Sequence, residues 1–318
     1  MKADDSSLSP KQLVTVRATA RLLLDKGGAW GTFPTPVDTL MAAAGLRMEP
    51  ISAFDESSMR RYLRDAGARA TKLLRGALDK VLGILDVHAD VVHIDPTLYP
   101  DKKTFLKLHE TGHKEIPHQR RIYRWIQDCT RHLDPSTAEL FEREANTFAS
   151  IVLFQDQAFA EQTIDEPFGI RIPMKTAKRF GASLYAAFRE YVRKHHKTCA
   201  VIVLEPTEHC TVRGLTAAVR RIEVSPTFAA AFGELELPDQ LLPSDDLFKL
   251  IPVEPRRMSR PQTFRLVDLN GTWHEFVGEG FRSSFHTLLL IHEIATLGQV
   301  ISFSAPQFRN RRLLRSVI

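Results

Sequence analysis

The sequence predicts an α+β fold, helical before Cys199 and strand-rich after it. Three observations carry that expectation. Apolar residues recur at three- and four-residue spacing in several segments ahead of Lys197, the period of one helix face. Ala200-Val201-Ile202-Val203-Leu204 is a short continuous aliphatic run of strand length. Two alternating stretches, residues 263–269 and 272–277, flank Asn270-Gly271, the strongest short-range hairpin signal.

Taken in order, Pro10 to Lys26 carries Leu13, Val16, Ala20, Leu23 and Leu24 at helical spacing, and Gly27-Gly28 stops it. Past Pro34 and Pro36, Val37 to Ala44 reads as a short helix ended by Gly45, followed by an extended Leu46 to Pro50. Arg60 to Leu85 reads as a long basic helix and Val91 to Ile94 as a strand. Asp95-Pro96 and Tyr99-Pro100-Asp101 turn the chain into a helix starting near Lys102. Asp134-Pro135-Ser136 caps another, roughly Thr137 to Phe154, whose stripe is Leu140, Phe141, Ala145, Phe148, Ala149 and Val152. Two short helices, Ile172 to Phe180 and Leu184 to Lys197, follow around a break at Gly181. Pro238 to Pro261 is loop-rich.

Composition narrows the class. At 318 residues the chain is long enough for two domains, and 43% hydrophobic with 25% charged residues is a globular balance. No apolar run approaches the roughly 18 residues that would span a bilayer. Met1 to Pro10 is polar, without a basic segment leading into an apolar core, so the expected location is the cytoplasm. Cys129, Cys199 and Cys210 are too few and too scattered for a disulfide framework or a thiolate metal site. A formal charge of +5 reads as a solvated basic surface and falls short of a nucleic-acid signature.

Against that plain background one stretch is specific. His109-Glu110-Thr111-Gly112-His113 places two imidazoles one helical turn apart with a carboxylate between them, the pattern of a zinc site that carries its own general base. Chance alone yields such a pentapeptide in about 3% of chains of this composition, so its surroundings decide. A hydrolytic zinc takes three protein ligands and keeps one position open. The helix after Asp134 offers the third, because Glu142 and Asn146 lie four residues apart on one face. Glu142 is then the ligand, and Asn146 reaches the second nitrogen of a ligating histidine. Glu144 points about 200° away on the wheel and is assigned to the surface or to a salt bridge. Glu110 is expected to take a proton from the metal's water and pass it to the leaving amine. Gly112, a poor helix former, suggests that something packs closely on its helix.

The block Thr104 to His113, followed by Glu142-Arg143-Glu144-Ala145-Asn146-Thr147-Phe148-Ala149, resembles the ImmA/IrrE family of zinc metallopeptidases, whose pattern is close to HExGH and then ExEANxFA. The resemblance runs roughly from residue 35 to 195 and includes the helix-turn-helix-like stretch around Thr176 to Ser183. It implies a minimal gluzincin-like domain and, as substrates, helix-turn-helix repressors whose cleavage releases stress or mobile-element genes. The chain departs from the family pattern at Leu153-Phe154-Gln155 and in a longer, basic connection between Lys114 and Phe141. No family pattern is matched after Cys199.

The expected organisation is therefore an N-terminal helical extension (1–34), a mainly helical zincin-like metallopeptidase domain with a small sheet (35–172), a helix-turn-helix-like segment (173–198) and an α+β C-terminal domain (199–318), sensory or substrate-binding. The expected activity is limited proteolysis of a partner regulatory protein, with one Zn2+ per chain on His109, His113 and Glu142 and Glu110 as base. The alternative is a DNA-binding or sensory transcription regulator with a structural or vestigial metal site, for which Arg179, Arg189, Arg193, Lys194 and Lys197 supply a basic second helix. Tyr185 reads as core, or as an oxyanion donor; His118, past Pro117, reads as loop. His292-Glu293 lacks a second histidine, and Arg309 to Arg315 read as a basic tail.

Overall fold

The structure, a computed structural model, describes residues 6–48, 83–86, 90–94, 98–122, 134–211 and 214–296. It has the α+β class that the sequence predicts. The chain divides into two compact units, Met1–Phe159 with Ala177–Ser183, and Ala160–Thr176 with Leu184–Ile318.

In the first unit, helix α1 (Pro10–Lys26) opens on a capping box: Ser9 accepts from the Gln12 amide and the Gln12 side chain returns to the Ser9 amide at 2.9 Å. Its buried face is Val16, Ala20, Leu23 and Leu24. Helix α2 (Val37–Ala43) ends before Gly45, whose φ of 72° is the left-handed conformation that suits glycine. Three short strands form a small sheet in the order β1 (Arg47–Met48), β3 (Val91–Ile94), β2 (Gly83–Asp86), with β1 parallel and β2 antiparallel to β3. Strand β2 occupies the end of the stretch expected as a long helix; the rest of that expectation, residues 60–82, lies outside the described residues. Four residues carry too little periodicity to separate strand from helix, and pairing with β3 decides the matter.

Helix α3 (Pro100–Glu115) starts at a proline in its first turn, and α4 (Pro135–Leu153) is capped by Asp134, which accepts the amides of Ser136 and Thr137 at 3.1 and 3.0 Å. Helix α4 packs against α1 on one side and α3 on another, so most of its circumference is buried. Phe33, Phe154, Phe159 and Phe180 close the core of this unit, with ring centroids 4.7 Å apart for Phe33 and Phe180 and 4.9 Å for Phe154 and Phe159. Helix α5 (Ala158–Glu161) and helix α6 (Arg171–Phe180) complete the helices up to Gly181.

The second unit is built on an antiparallel sheet ordered β5 (Glu208–Cys210), β6 (Gly214–Val224), β4 (Cys199–Leu204), β10 (Thr287–Thr296), β9 (Trp273–Arg282), β8 (Gln262–Val267), with β7 (Gln240–Leu241) on β6. All six residues of β4 are buried, as its unbroken apolar run requires. Helix α7 (Leu184–Lys194) covers β4 and β6, and α8 (Pro226–Phe232) places Phe228 in a core with Phe276, Leu250 and Ile291. The loop between β7 and β8 holds a short 3-10 helix (Asp246–Leu250) and lies wholly in this unit. The β8–β9 hairpin is real, but its connection is longer than an Asn-Gly turn. Pairing stops at Val267 and Trp273, and Asp268 organises the loop by accepting the amides of Asn270 and Thr272 at 2.9 and 2.8 Å. Among the described residues no helix is long and apolar enough to cross a membrane.

Candidate metal centre

Packing of α3 against α4 builds the centre. Residues Leu108 to Lys114 of α3 are all buried, which fixes one helical turn with His109 at its start and His113 at its end. Lys114, itself buried, ties that end of the helix down through Asp90 Oδ1 at 2.8 Å and the Gly45 carbonyl at 3.1 Å. From α4, Glu142 reaches across. Its Oε2 lies 3.2 Å from His109 Nε2 and its Oε1 3.5 Å from His113 Nε2, while the two Nε2 atoms are 3.1 Å apart. One donor atom from each residue falls within 4.8 Å of the others, so His109, His113 and Glu142 form a group that can hold a metal ion. The histidines are 8% and 6% exposed, whereas the Glu142 side chain is 39% exposed, so the group opens to solvent on the carboxylate side.

The outward nitrogens of both rings are also engaged. His109 Nδ1 lies 3.0 Å from Asn146 Oδ1, as the four-residue spacing from Glu142 predicts, and His113 Nδ1 lies 2.7 Å from Gln119 Oε1. With oxygen acceptors behind both rings, the Nδ1 atoms are the donors and the two Nε2 atoms converge on the Glu142 carboxylate. Two imidazole nitrogens and a carboxylate oxygen, oriented in this way, fit a first-row divalent cation. Burial pushes the Glu142 carboxyl up, but both imidazoles outweigh it and hold the group well below the usual carboxylate range. Burial likewise works against a charged His113, yet Glu142 and Glu110 raise it. Glu110 is 7% exposed and close enough for its charge to act on His113.

Gly112 has the neighbour that the sequence implied. A Cβ there would sit 3.0 Å from Phe148 Cδ1 and 3.3 Å from the Ala145 Cα, so α4 crosses α3 at this glycine. Alanine would add about 1 kcal/mol of helix propensity, while pushing against a fully buried ring and a backbone atom costs about 1–3 kcal/mol. Gly112→Ala is therefore expected to lower the melting temperature and to weaken metal binding by parting the two helices. A variant as stable and as metal-competent as the parent would show that the crossing tolerates a methyl group.

The structure corrects one assignment, decides between the two places offered for Glu144 and adds one residue. His118 is not in a loop: Pro117 restarts a helix whose described part reaches residue 122, and His118 Nε2 lies 2.7 Å from Glu144 Oε2. Glu144 takes the pairing and not the surface: it is 3% exposed, pairs with His118 and also accepts from Gln119 Nε2 at 2.7 Å. Gln119, fully buried between His113 and Glu144, is the residue that the sequence reading missed. Its one available signal was Pro117, since a proline one residue past a broken helix is a good first residue for the next. Tyr185 belongs to the second unit, where it is half-buried with the Arg189 guanidinium 5.1 Å from its ring centroid. In that unit Arg189 and Arg193 of α7, two of the five basic residues offered for DNA reading, pair with Glu223 of β6 at 3.0 and 3.2 Å. Glu293 lies 2.7 Å from His274 Nδ1.

Residues 66–189, a span that contains both α3 and α4, match a peptidase family described as the IrrE N-terminal-like domain. The match supports a relationship of this part of the chain to the ImmA/IrrE family. A Mycobacterium tuberculosis transcriptional regulator of known structure is similar at 12% identity and a TM-score of 0.47, with 88% of this chain and 76% of that one covered. No curated protein matches the chain.

Proposed function

We propose that the protein is a zinc-dependent endopeptidase that cuts a partner regulatory protein at a limited number of bonds, with His109, His113 and Glu142 as ligands and Glu110 as general base. The observation that carries this reading is the convergence of three donor atoms from two helices, with a fourth, non-ligating carboxylate buried beside them. A structural site has no use for that carboxylate. His109, His113 and Glu142 would hold the zinc ion, which would supply Lewis acidity to the scissile carbonyl and to the attacking water. Glu110 takes the proton of that water and returns it to the leaving amine, so no covalent enzyme intermediate forms. Asn146 holds His109 in orientation, and the exposed side at Glu142 admits an extended backbone.

A regulatory protein is favoured as substrate, because the family resemblance points to helix-turn-helix repressors. The metallopeptidase domain is proposed to span residues 35–172, with the α+β region from 199 onward serving as a sensory or substrate-binding module. The purified full chain should contain about one zinc per molecule by atomic spectroscopy. Incubated with a helix-turn-helix repressor that is its substrate, it should produce a single new terminus by mass spectrometry. A zinc-loaded chain that leaves both this protein and unfolded generic substrates intact would overturn the reading.

A further inference from the structure

Behind His113 lies a hydrogen-bonded chain that the metal centre alone does not account for. The Gln119 amide is fully buried, and its nitrogen lies 3.2 Å from the Phe141 carbonyl oxygen and 2.7 Å from Glu144 Oε2. A backbone carbonyl can only accept, so the amide end facing Phe141 is the NH2 group. The opposite end, 2.7 Å from His113 Nδ1, is therefore the oxygen, and that nitrogen must be the donor. His113 therefore carries a proton on Nδ1, which leaves Nε2 as the nitrogen that faces Glu142 and His109. Glu144 gives the Gln119 amino group its second, shorter anchor and is itself reached from the protein surface by His118.

We infer that Gln119, locked by Glu144 and the Phe141 carbonyl, is the positioning residue that sets the tautomer and ring direction of His113 for metal binding. This rests on the proposed role of His113 as a ligand. It gives the two glutamates of the Glu142-Arg143-Glu144 segment separate tasks. Glu142 faces the metal position, and Glu144, on the other side of α4, fixes the polarity of the amide behind the second histidine. Losing such an outer contact typically weakens metal binding by about 10–100-fold.

The test has two arms on the full chain. In the metal-free parent, long-range 15N–1H correlations of the imidazoles, with His113 assigned from its loss in His113→Asn, should show a proton on Nδ1. A ring protonated on Nε2 alone overturns the inference. In the second arm zinc affinity is read by chelator competition. Gln119→Met and Gln119→Glu should each weaken binding about tenfold or more, the latter by opposing two carboxylates. Parental affinity in Gln119→Met or in Gln119→Glu overturns the inference. The two layers fail differently: a parent chain that binds no zinc removes the metallopeptidase reading, whereas the wrong tautomer in a zinc-binding chain removes the role of Gln119 alone.

Discussion

Glu110→Gln is expected to lose nearly all peptide cleavage while keeping its zinc. Gln has the shape of Glu and still fills a site only 7% exposed, so α3 has no reason to move. What disappears is the ability to accept a proton. General base catalysis by a positioned side chain is worth about 10²–10⁴-fold, and kcat should fall by that order at every pH where the parent is active. Zinc content should remain near one per chain, because Glu110 is not among the residues whose donor atoms converge. Full activity in the variant would remove Glu110 from the mechanism. Loss of zinc with activity would move it into the coordination sphere.

How far the sequence foresaw this arrangement depends on how local the signal is. Helices α1, α3 and α4 and strands β3 and β4 were legible because their caps, prolines and apolar periods lie within the elements themselves. The metal group was legible for the same reason: His109 and His113 repeat at four residues on one helix, and Glu142 and Asn146 do so on another. Two such repeats need only one helix crossing to meet, and Gly112 marks where that crossing falls. For Glu144 the pairing was foreseen and the surface position was not. It does point away from Glu142, but α4 is covered by α1 and α3 together, so its pair with His118 is made in the interior. Gln119 was invisible because its role depends on the path of the chain after Pro117, which no periodicity encodes. Strand β10 was missed for a related reason. Leu288-Leu289-Leu290-Ile291 is buried between β4 and β9 and has no exposed face to mark a period of two.

His113→Ala separates the metal from the base. Alanine removes one of three donor atoms, and neither neighbour replaces it: Gln119 faces the ring from behind, and Glu142 already faces the metal position. Zinc should be absent after dialysis and cleavage should fall to background, in contrast to Glu110→Gln, which keeps its metal. The variant is still expected to fold, because the first unit has an aromatic and aliphatic core of its own in Phe33, Phe154, Phe159 and Phe180. It should be less stable than the metal-free parent, since the buried Gln119 oxygen loses its donor at a cost of about 1–3 kcal/mol. Ligand linkage supplies the sharper readout. Zinc at about a hundred times its dissociation constant stabilises a protein by about 2.7 kcal/mol, which at about 2–4 °C per kcal/mol raises the melting temperature of a domain this size by about 5–10 °C. The parent should show that rise on zinc addition and His113→Ala should show none. A variant that still responds to zinc with the parental shift would mean that the ion binds elsewhere, and the assignment of His109, His113 and Glu142 would fall with it.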